Sequence, residues 1–260
     1  MLASARCQLP KRLPIKLAIE PLIDAACELR VHISSQIDLH TVLPGVLLTK
    51  LGLSKFEQLP GTFVPSAIRS QDPLGVFNSQ LVRAQWGDYY ITIGTRNVVI
   101  GPKLPYHGWH DFKKHILEVF NVVLELGIHD AIDRYSIKYT NLIEGSDVAQ
   151  QSAKLDWGVK IGPLSIQGEP TQLRVEIPDE RFLTIVQINS GAAVEMIETK
   201  TVRTGCVVDV DTLCLKLDAD FSRFGRELPE RLDAIRYRNK GVFFDCLTDS
   251  TIEEMGPTYE

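Results

Sequence analysis

Three closely spaced strand patterns that run into a long helix pattern constrain the fold of this chain most. The strand patterns lie at Gln80–Trp86, Tyr89–Thr95 and Asn97–Ile100. They are joined by connections short enough for hairpins, so the strands are expected to be antiparallel. A helix of about five turns should follow, because apolar residues mark one face at positions 109, 112, 116, 119, 120, 123, 124 and 126.

The same order recurs in the second half of the chain. Strand patterns lie at 157–166, 171–177, 181–189, 192–198 and 205–217, and a helix is predicted from about Pro229 to Leu247. We therefore expect an α+β fold with a largely antiparallel sheet, built from two meander-then-helix halves, with the long helices packed on one face. One continuous sheet through both halves is the favoured arrangement.

The chain is expected to form one compact unit with four parts. These are an N-terminal extended segment at 1–21, a first sheet-plus-helix half at 22–143, a linker at 144–154 and a second half at 155–260. The linker is assigned because its residues are polar and have no periodicity. The first half begins with a strand at Leu22–Ile33. A helix follows Asp38, and we expect Pro44 to delay its start or to kink it.

Charge and cysteine content limit the partners and the compartment. The 28 basic and 33 acidic residues give a net charge of −5, which argues against a chain-wide nucleic-acid-binding surface. Five cysteines without a Cys-x-x-Cys pair favour a reducing compartment without disulfides. Neither a signal peptide nor a long apolar run is present, so the sequence predicts a cytoplasmic protein that crosses no membrane.

Catalytic sequence motifs are absent from the chain. It contains no GxxxxGK[ST], no GxGxxG after a strand and no GxSxG, so we predict no cofactor and favour a non-enzymatic protein. His107 and His110 are weak candidates for metal ligands, and surface histidines at a helix start are the favoured interpretation. Two carboxylate pairs occur, Asp209 with Asp211 and Asp218 with Asp220. Each pair fits either a cation site or the solvated face of a strand.

The strand Arg134–Asn141 alternates between two kinds of side chain. One face carries Arg134, Ser136, Lys138 and Thr140, and the other carries Tyr135, Ile137, Tyr139 and Asn141. A buried asparagine must satisfy its amide. We favour a structural role in fixing a loop or helix end, and the alternative is a polar contact in a ligand cleft. The candidate binding residues of this strand are Arg134, Lys138, Tyr139 and Asn141.

Basic residues cluster in the last predicted helix. The cluster comprises Arg226, Arg231, Arg236, Arg238 and Lys240. It suggests a local patch for phosphate or an acidic partner, so that local nucleic-acid binding stays open. Acidic residues are interleaved as helix-surface partners, and a solvated face is the favoured interpretation. The candidate binding residues of this helix are Arg231, Arg236, Tyr237 and Arg238.

Three segments together resemble a sporadically distributed prokaryotic protein family of about 250 residues with no assigned activity. The segments are Glu20–Val31, Arg134–Asn141 and Phe243–Asp249, in the order and spacing of that family. The family commonly has a histidine in its terminal helix, where this chain has Arg236, Tyr237 and Arg238. The resemblance implies a prokaryotic setting associated with defence or mobile elements, and it transfers no active site.

Three functional hypotheses follow. The leading one is a non-enzymatic binding or regulatory protein that acts through protein–protein interaction, with a protein partner or as a homo-oligomer. The second is a small-ligand-binding protein with an aromatic pocket between sheet and helices, suited to flat apolar or nucleobase-like ligands. That pocket would be lined by Trp86, Tyr90, Tyr135, Tyr139 and Trp157. The third is a metal-dependent hydrolase that uses a carboxylate and the histidines His107, His110 and His115.

Overall fold

Thirteen strands and five α-helices form the fold in a computed structural model, which describes residues 12–34, 37–53, 55–64, 80–166, 168–196, 199–215, 217 and 221–259. The strands are β1 Lys16–Leu17, β2 Leu22–His32, β3 Phe56–Gln58, β4 Val82–Trp86, β5 Tyr89–Ile93, β6 Asn97–Pro102, β7 Ala131–Glu144, β8 Val159–Ile161, β9 Leu164–Ile166, β10 Gln172–Pro178, β11 Leu183–Glu195, β12 Val202–Cys214 and β13 Pro257–Thr258. The helices are α1 Leu39–Leu51, α2 Trp109–Glu125, α3 Val148–Ala153, α4 Phe221–Asp245 and α5 Asp249–Glu254. Among the residues described, no helix is both long enough and apolar enough to cross a membrane.

Nine of these strands form a single sheet that runs through both halves of the chain. The order is β10-β11-β12-β7-β2-β6-β5-β4-β3, and each neighbouring pair is antiparallel. The two halves meet where β7 lies between β12 and β2. This arrangement confirms the predicted α+β fold and the continuous sheet.

The long helices cover one face of the sheet. Alternation along β7 places Tyr135, Ile137 and Tyr139 on this face, where they are buried. Helices α1, α2 and α4 pack there and contribute the fully buried residues Leu39, Leu43 and Leu47 from α1, Phe112, Ile116 and Phe120 from α2, and Leu228, Leu232 and Ile235 from α4. The opposite face carries the polar alternation of the same strands, and we call it the open face.

A second apolar cluster lies at the end of α4. Val242, Phe243 and Phe244 pack there with side chains of β11 and β12. Leu17 of β1 joins this cluster, and β1 is held in place by its pairing with β13. The N-terminal segment thus runs beside the last turns of α4.

Helix α4 begins earlier than the sequence predicted. It starts at Phe221 rather than near Pro229, which lies inside it. Phe224 and Leu228 are 2% and 0% exposed and continue the apolar stripe of Leu232 and Ile235. Burial of these side chains outweighs the backbone hydrogen bond that a proline removes.

Contrary to the expectation from the sequence, Pro44 does not delay the start of helix α1. It begins at Leu39 and therefore accommodates Pro44, because Leu39, Leu43 and Leu47 all pack into the core. Residues 65–79 lie outside the described residues.

The strand break predicted at Ser190-Gly191 is wrong. β11 continues through these residues, and an irregularity in its pairing with β12 lies between Asn189 and Ala192. Gly191 has a φ of +71°, and its N–H donates to Oε1 of Gln151 at 2.8 Å. Gln151 belongs to α3, so the segment predicted as a linker contains a short helix that holds this bulge. The strand predicted at 157–166 is a separate hairpin of β8 and β9.

Substitution of Gln151 by alanine should destabilise the fold by about 1–3 kcal/mol, because it leaves the Gly191 N–H without its partner. Gln151 is 2% exposed, so water cannot readily replace its amide. Urea denaturation followed by circular dichroism measures the change. The exposed Gln187 of β11 is the control, and Gln187→Ala should change the free energy of unfolding little. An equal effect of both substitutions would show that Gln151 does not hold the bulge.

Candidate functional site

A cavity of about 610 Å³ lies between the central strand β7, helix α4, the start of α2 and the N-terminal segment. This volume is within the range of small-molecule sites in proteins. The strand and the helix contribute Tyr139, Asn141, Asp233, Arg236, Tyr237, Asn239, Lys240, Phe243 and Phe244. The other walls come from Pro14, Ile15, Lys16, Leu17, Glu20, Leu22 and Tyr106 to Trp109.

Helix geometry explains why α4 contributes two cations to this cavity. Arg236 and Lys240 are four residues apart, so they lie one above the other on the same helix face. The apolar stripe of Leu232 and Ile235 orients the helix against the sheet. Arg236 therefore lies over Tyr139 of β7, and Lys240 lines the same cavity one turn further along α4.

Arg236 lies directly on the ring of Tyr139. Its guanidinium carbon is 4.1 Å from the ring centroid, a close cation–π contact. The Tyr139 hydroxyl is 3.0 Å from the hydroxyl of Tyr106. Burial raises the pKa of both phenols, so both stay protonated at neutral pH.

Two positive charges at this cavity have no acidic partner in contact. Within the described residues, no carboxylate lies within 4.0 Å of the charged nitrogens of Arg236 or Lys240. The Nε of Arg236 is buried without a hydrogen-bond partner. Burial, and then the charge of Arg236, lower the pKa of Lys240 to about 8, while Glu20 opposes the shift.

The two acidic residues of the cavity only partly compensate this charge. Asp233 of α4 accepts hydrogen bonds from two side chains of α2, Trp109 Nε1 at 2.9 Å and Lys113 Nζ at 2.7 Å. The charge of Lys113 therefore compensates the charge of Asp233. Glu20 lies at the exposed rim. Desolvation by the surrounding protein nevertheless raises the pKa of Glu20. The positive charges of Arg236 and Lys240 oppose this rise. With Lys16 also in the walls, the cationic side chains Lys16, Arg236 and Lys240 outnumber the acidic side chains Glu20 and Asp233.

Two asparagines in the walls differ in what they do. Asn239 is fully buried, and its Nδ2 donates to Ile137 O at 3.1 Å and Val210 O at 2.7 Å, which ties α4 to β7 and β12. Asn141 is 4% exposed, and its side chain makes no hydrogen bond to any residue that the structure describes. An amide without a partner in a cavity wall is available to a ligand.

The predicted binding residues separate into two groups. Tyr139, Asn141, Arg236 and Tyr237 line the cavity together. The other four are engaged elsewhere in ion pairs: Arg134 with Glu28 at 2.8 Å, Lys138 with Asp209 at 2.8 Å, Arg231 with Glu227 at 2.8 Å and Arg238 with Asp179 at 3.1 Å.

The predicted aromatic lining is wrong for four of its five residues. Tyr139 alone lines the cavity. Side chains alternate between the two faces of the sheet, so Tyr90 projects from the open face while Tyr89 and Ile91 point to the other face. The Tyr90 ring lies near the cations of Arg83 and Lys103. Tyr135 is a core residue packed on Phe224. The two tryptophans pack elsewhere, Trp86 against His115 and Trp157 in the second apolar cluster.

Within the described ranges, the histidines do not form a cluster with other residue types that bind metals. His107 lines the cavity and lies 3.4 Å from Asp88, whereas His110 is exposed at the start of α2. No group of three or more histidine, cysteine or acidic residues suited to a metal occurs in the described part of the chain. Burial raises the pKa of Asp211 to about 6 on the open face, and Asp218 and Asp220 lie outside the described residues.

Several cavity residues, among them Glu20, Tyr106 and Lys240, were not among the candidates. Glu20 and Tyr106 come from irregular segments whose position no periodicity indicates. Lys240 belongs to the predicted basic cluster, and its spacing of four from Arg236 was a usable signal. The interleaved acidic residues suggested instead that the whole helix face was solvated.

Neither a family model nor a curated protein matches this chain. The family resemblance of its three segments therefore stays a prediction, and the function has to be argued from the cavity itself.

Replacing Lys240 by glutamine should stabilise the protein at pH 7 by about 1–3 kcal/mol, because it removes a desolvated charge. The folded protein holds this proton less tightly than the unfolded chain, so the penalty is present below pH 8. It should disappear as the pH rises toward the ordinary lysine value near 10.5. Urea denaturation from pH 7 to 10.5 tests this difference.

The control is Lys114→Gln on the exposed side of α2, which removes a positive charge outside the cavity. It should leave the stability nearly unchanged. A constant difference between Lys240→Gln and the parent protein across this pH range would contradict the assignment of a desolvated amine.

Proposed function

We propose that this protein binds a small anionic ligand with a flat, unsaturated part in the cavity between β7 and α4. The observation that carries the proposal is the pair Arg236 and Lys240, which line the cavity without a carboxylate in contact among the described residues.

A desolvated cation without a counterion lowers the stability of a protein, and such groups concentrate at functional sites. A phosphate or carboxylate group would restore the missing counterion and gain charge-assisted hydrogen bonds from both side chains. The first turn of α2, which begins at Trp109 beside the cavity, adds a favourable helix-dipole field.

The flat part of the ligand is inferred from the walls. The guanidinium of Arg236, which lies over the ring of Tyr139, is a planar group on which an unsaturated ring can stack. Tyr106, Trp109 and Tyr237 supply further aromatic surface, and Asn141 offers an unused amide for orientation.

This proposal keeps the small-ligand hypothesis but places the ligand in a cavity whose lining differs from the predicted one. The protein–protein hypothesis stays a prediction, as does the defence or mobile-element setting. No arrangement of described residues adds support for the hydrolase hypothesis.

Thermal shift with a small set of probes tests the proposal. Adenosine 5′-monophosphate and pyridoxine 5′-phosphate combine a phosphate with a ring, whereas inorganic phosphate and adenosine each provide one part. At least one ring-bearing phosphate should raise the melting temperature more than either part alone. Arg236→Gln should weaken its binding about tenfold or more.

The matched control is Arg226→Gln, which removes an exposed arginine from the same helix and should retain the parent affinity. The proposal fails if no anionic probe stabilises the parent protein, or if Arg236→Gln and Arg226→Gln bind the probes equally well.

A further inference from the structure

We infer that Lys240 is a reactive amine that forms a reversible imine with the carbonyl group of an anionic aldehyde or ketone bound in the cavity. The inference rests on the proposed function and narrows its ligand class. It adds a covalent site where the proposal so far requires only a positive charge.

The position of Lys240 distinguishes it from paired lysines of the described chain. Lys113 lies 2.7 Å from Asp233 and Lys138 lies 2.8 Å from Asp209, so each forms an ion pair with a carboxylate. Lys240 lines a cavity and has neither an ion pair nor a hydrogen bond to the described residues. An amine can act as a nucleophile in such a setting, because it is accessible to a ligand and no carboxylate pairs with its protonated form.

Burial and a neighbouring charge favour the neutral amine. Burial disfavours the ammonium form, and Arg236, one turn earlier in α4, repels a second positive charge, so the pKa of Lys240 is lowered to about 8. Lys16 and His107 are the other basic groups in the walls. The acidic residues Glu20 and Asp233 oppose the effect, but Asp233 is already paired with Lys113. A substantial fraction of Lys240 is therefore neutral near pH 7.5.

The reaction conserves atoms and needs no co-reactant. The neutral amine nitrogen attacks the carbonyl carbon, and the π electrons move to oxygen. The nitrogen then releases one proton to solvent and the oxygen takes one from it, which gives a carbinolamine. The hydroxyl takes up a second proton and leaves as water while the nitrogen lone pair forms the C=N bond, and the nitrogen releases its remaining proton to give the neutral imine. The anionic group of the ligand would meanwhile contact Arg236, which stays charged throughout.

Pyridoxal 5′-phosphate followed by borohydride is a direct probe, because it combines a phosphate, a flat ring and an aldehyde. Reduction adds hydride to the imine carbon and a solvent proton to nitrogen, which leaves a stable secondary amine. Peptide mass spectrometry should locate the label, the ligand less one oxygen atom, on Lys240. At limiting reagent the label should form there about tenfold or more faster than at any other lysine.

Lys240→Arg separates chemistry from folding and from simple binding. This variant keeps the positive charge and should still bind pyridoxine 5′-phosphate, which has an alcohol in place of the aldehyde, but it should lose the selective label. Lys113→Arg, outside the cavity, should retain the label at Lys240.

Three results would overturn the inference. If pyridoxine 5′-phosphate stabilises the parent protein while the aldehyde labels lysines without selectivity, the inference fails and the proposed function stands. If the selective label persists on another lysine in Lys240→Arg, the reactive group has been misassigned. If neither probe binds or labels selectively, the inference is wrong, and the proposed function loses its support from these probes.

Discussion

The contact between Arg236 and the ring of Tyr139 is the interaction on which the site depends. It joins helix α4 to β7, the strand at which the two halves of the sheet meet, with the guanidinium carbon 4.1 Å from the ring centroid. A guanidinium stacked on an aromatic face is oriented and partly desolvated without being neutralised. This property allows one side chain to serve both as a packing element and as an anion-binding group.

The sheet provides the rigidity that such a site requires. Asn239 donates from α4 to backbone carbonyls of β7 and β12, close to the position of Arg236 along the helix. The apolar stripe below it is fully buried, so rotation of α4 would expose Leu232 and Ile235 to water. The N-terminal wall is held differently, through the pairing of β1 with β13 and through backbone hydrogen bonds from Ile15, Ala18 and Ile19 to residues 255–258.

Periodicity made the fold predictable and left much of the site obscure. Alternation along β7 and the apolar face of α2 correctly indicated an antiparallel sheet covered by helices. Local signals misled at Pro229 and Gly191, because tertiary burial and the amide of Gln151 override the tendency of proline and glycine to end an element. Tyr139, Asn141, Arg236 and Tyr237 were identified as binding candidates from strand and helix patterns. Glu20 and Tyr106 reach the cavity through irregular backbone, whose path depends on contacts far apart in sequence.

The most direct test of the anionic-ligand site is a crystal structure of the protein with the ring-bearing phosphate that stabilises it most. The phosphate should lie within hydrogen-bonding distance of Arg236 and Lys240, with the ring against the aromatic wall and the Asn141 amide within reach. A ligand bound elsewhere on the molecule, with Arg236 and Lys240 contacting only protein atoms, would contradict the account.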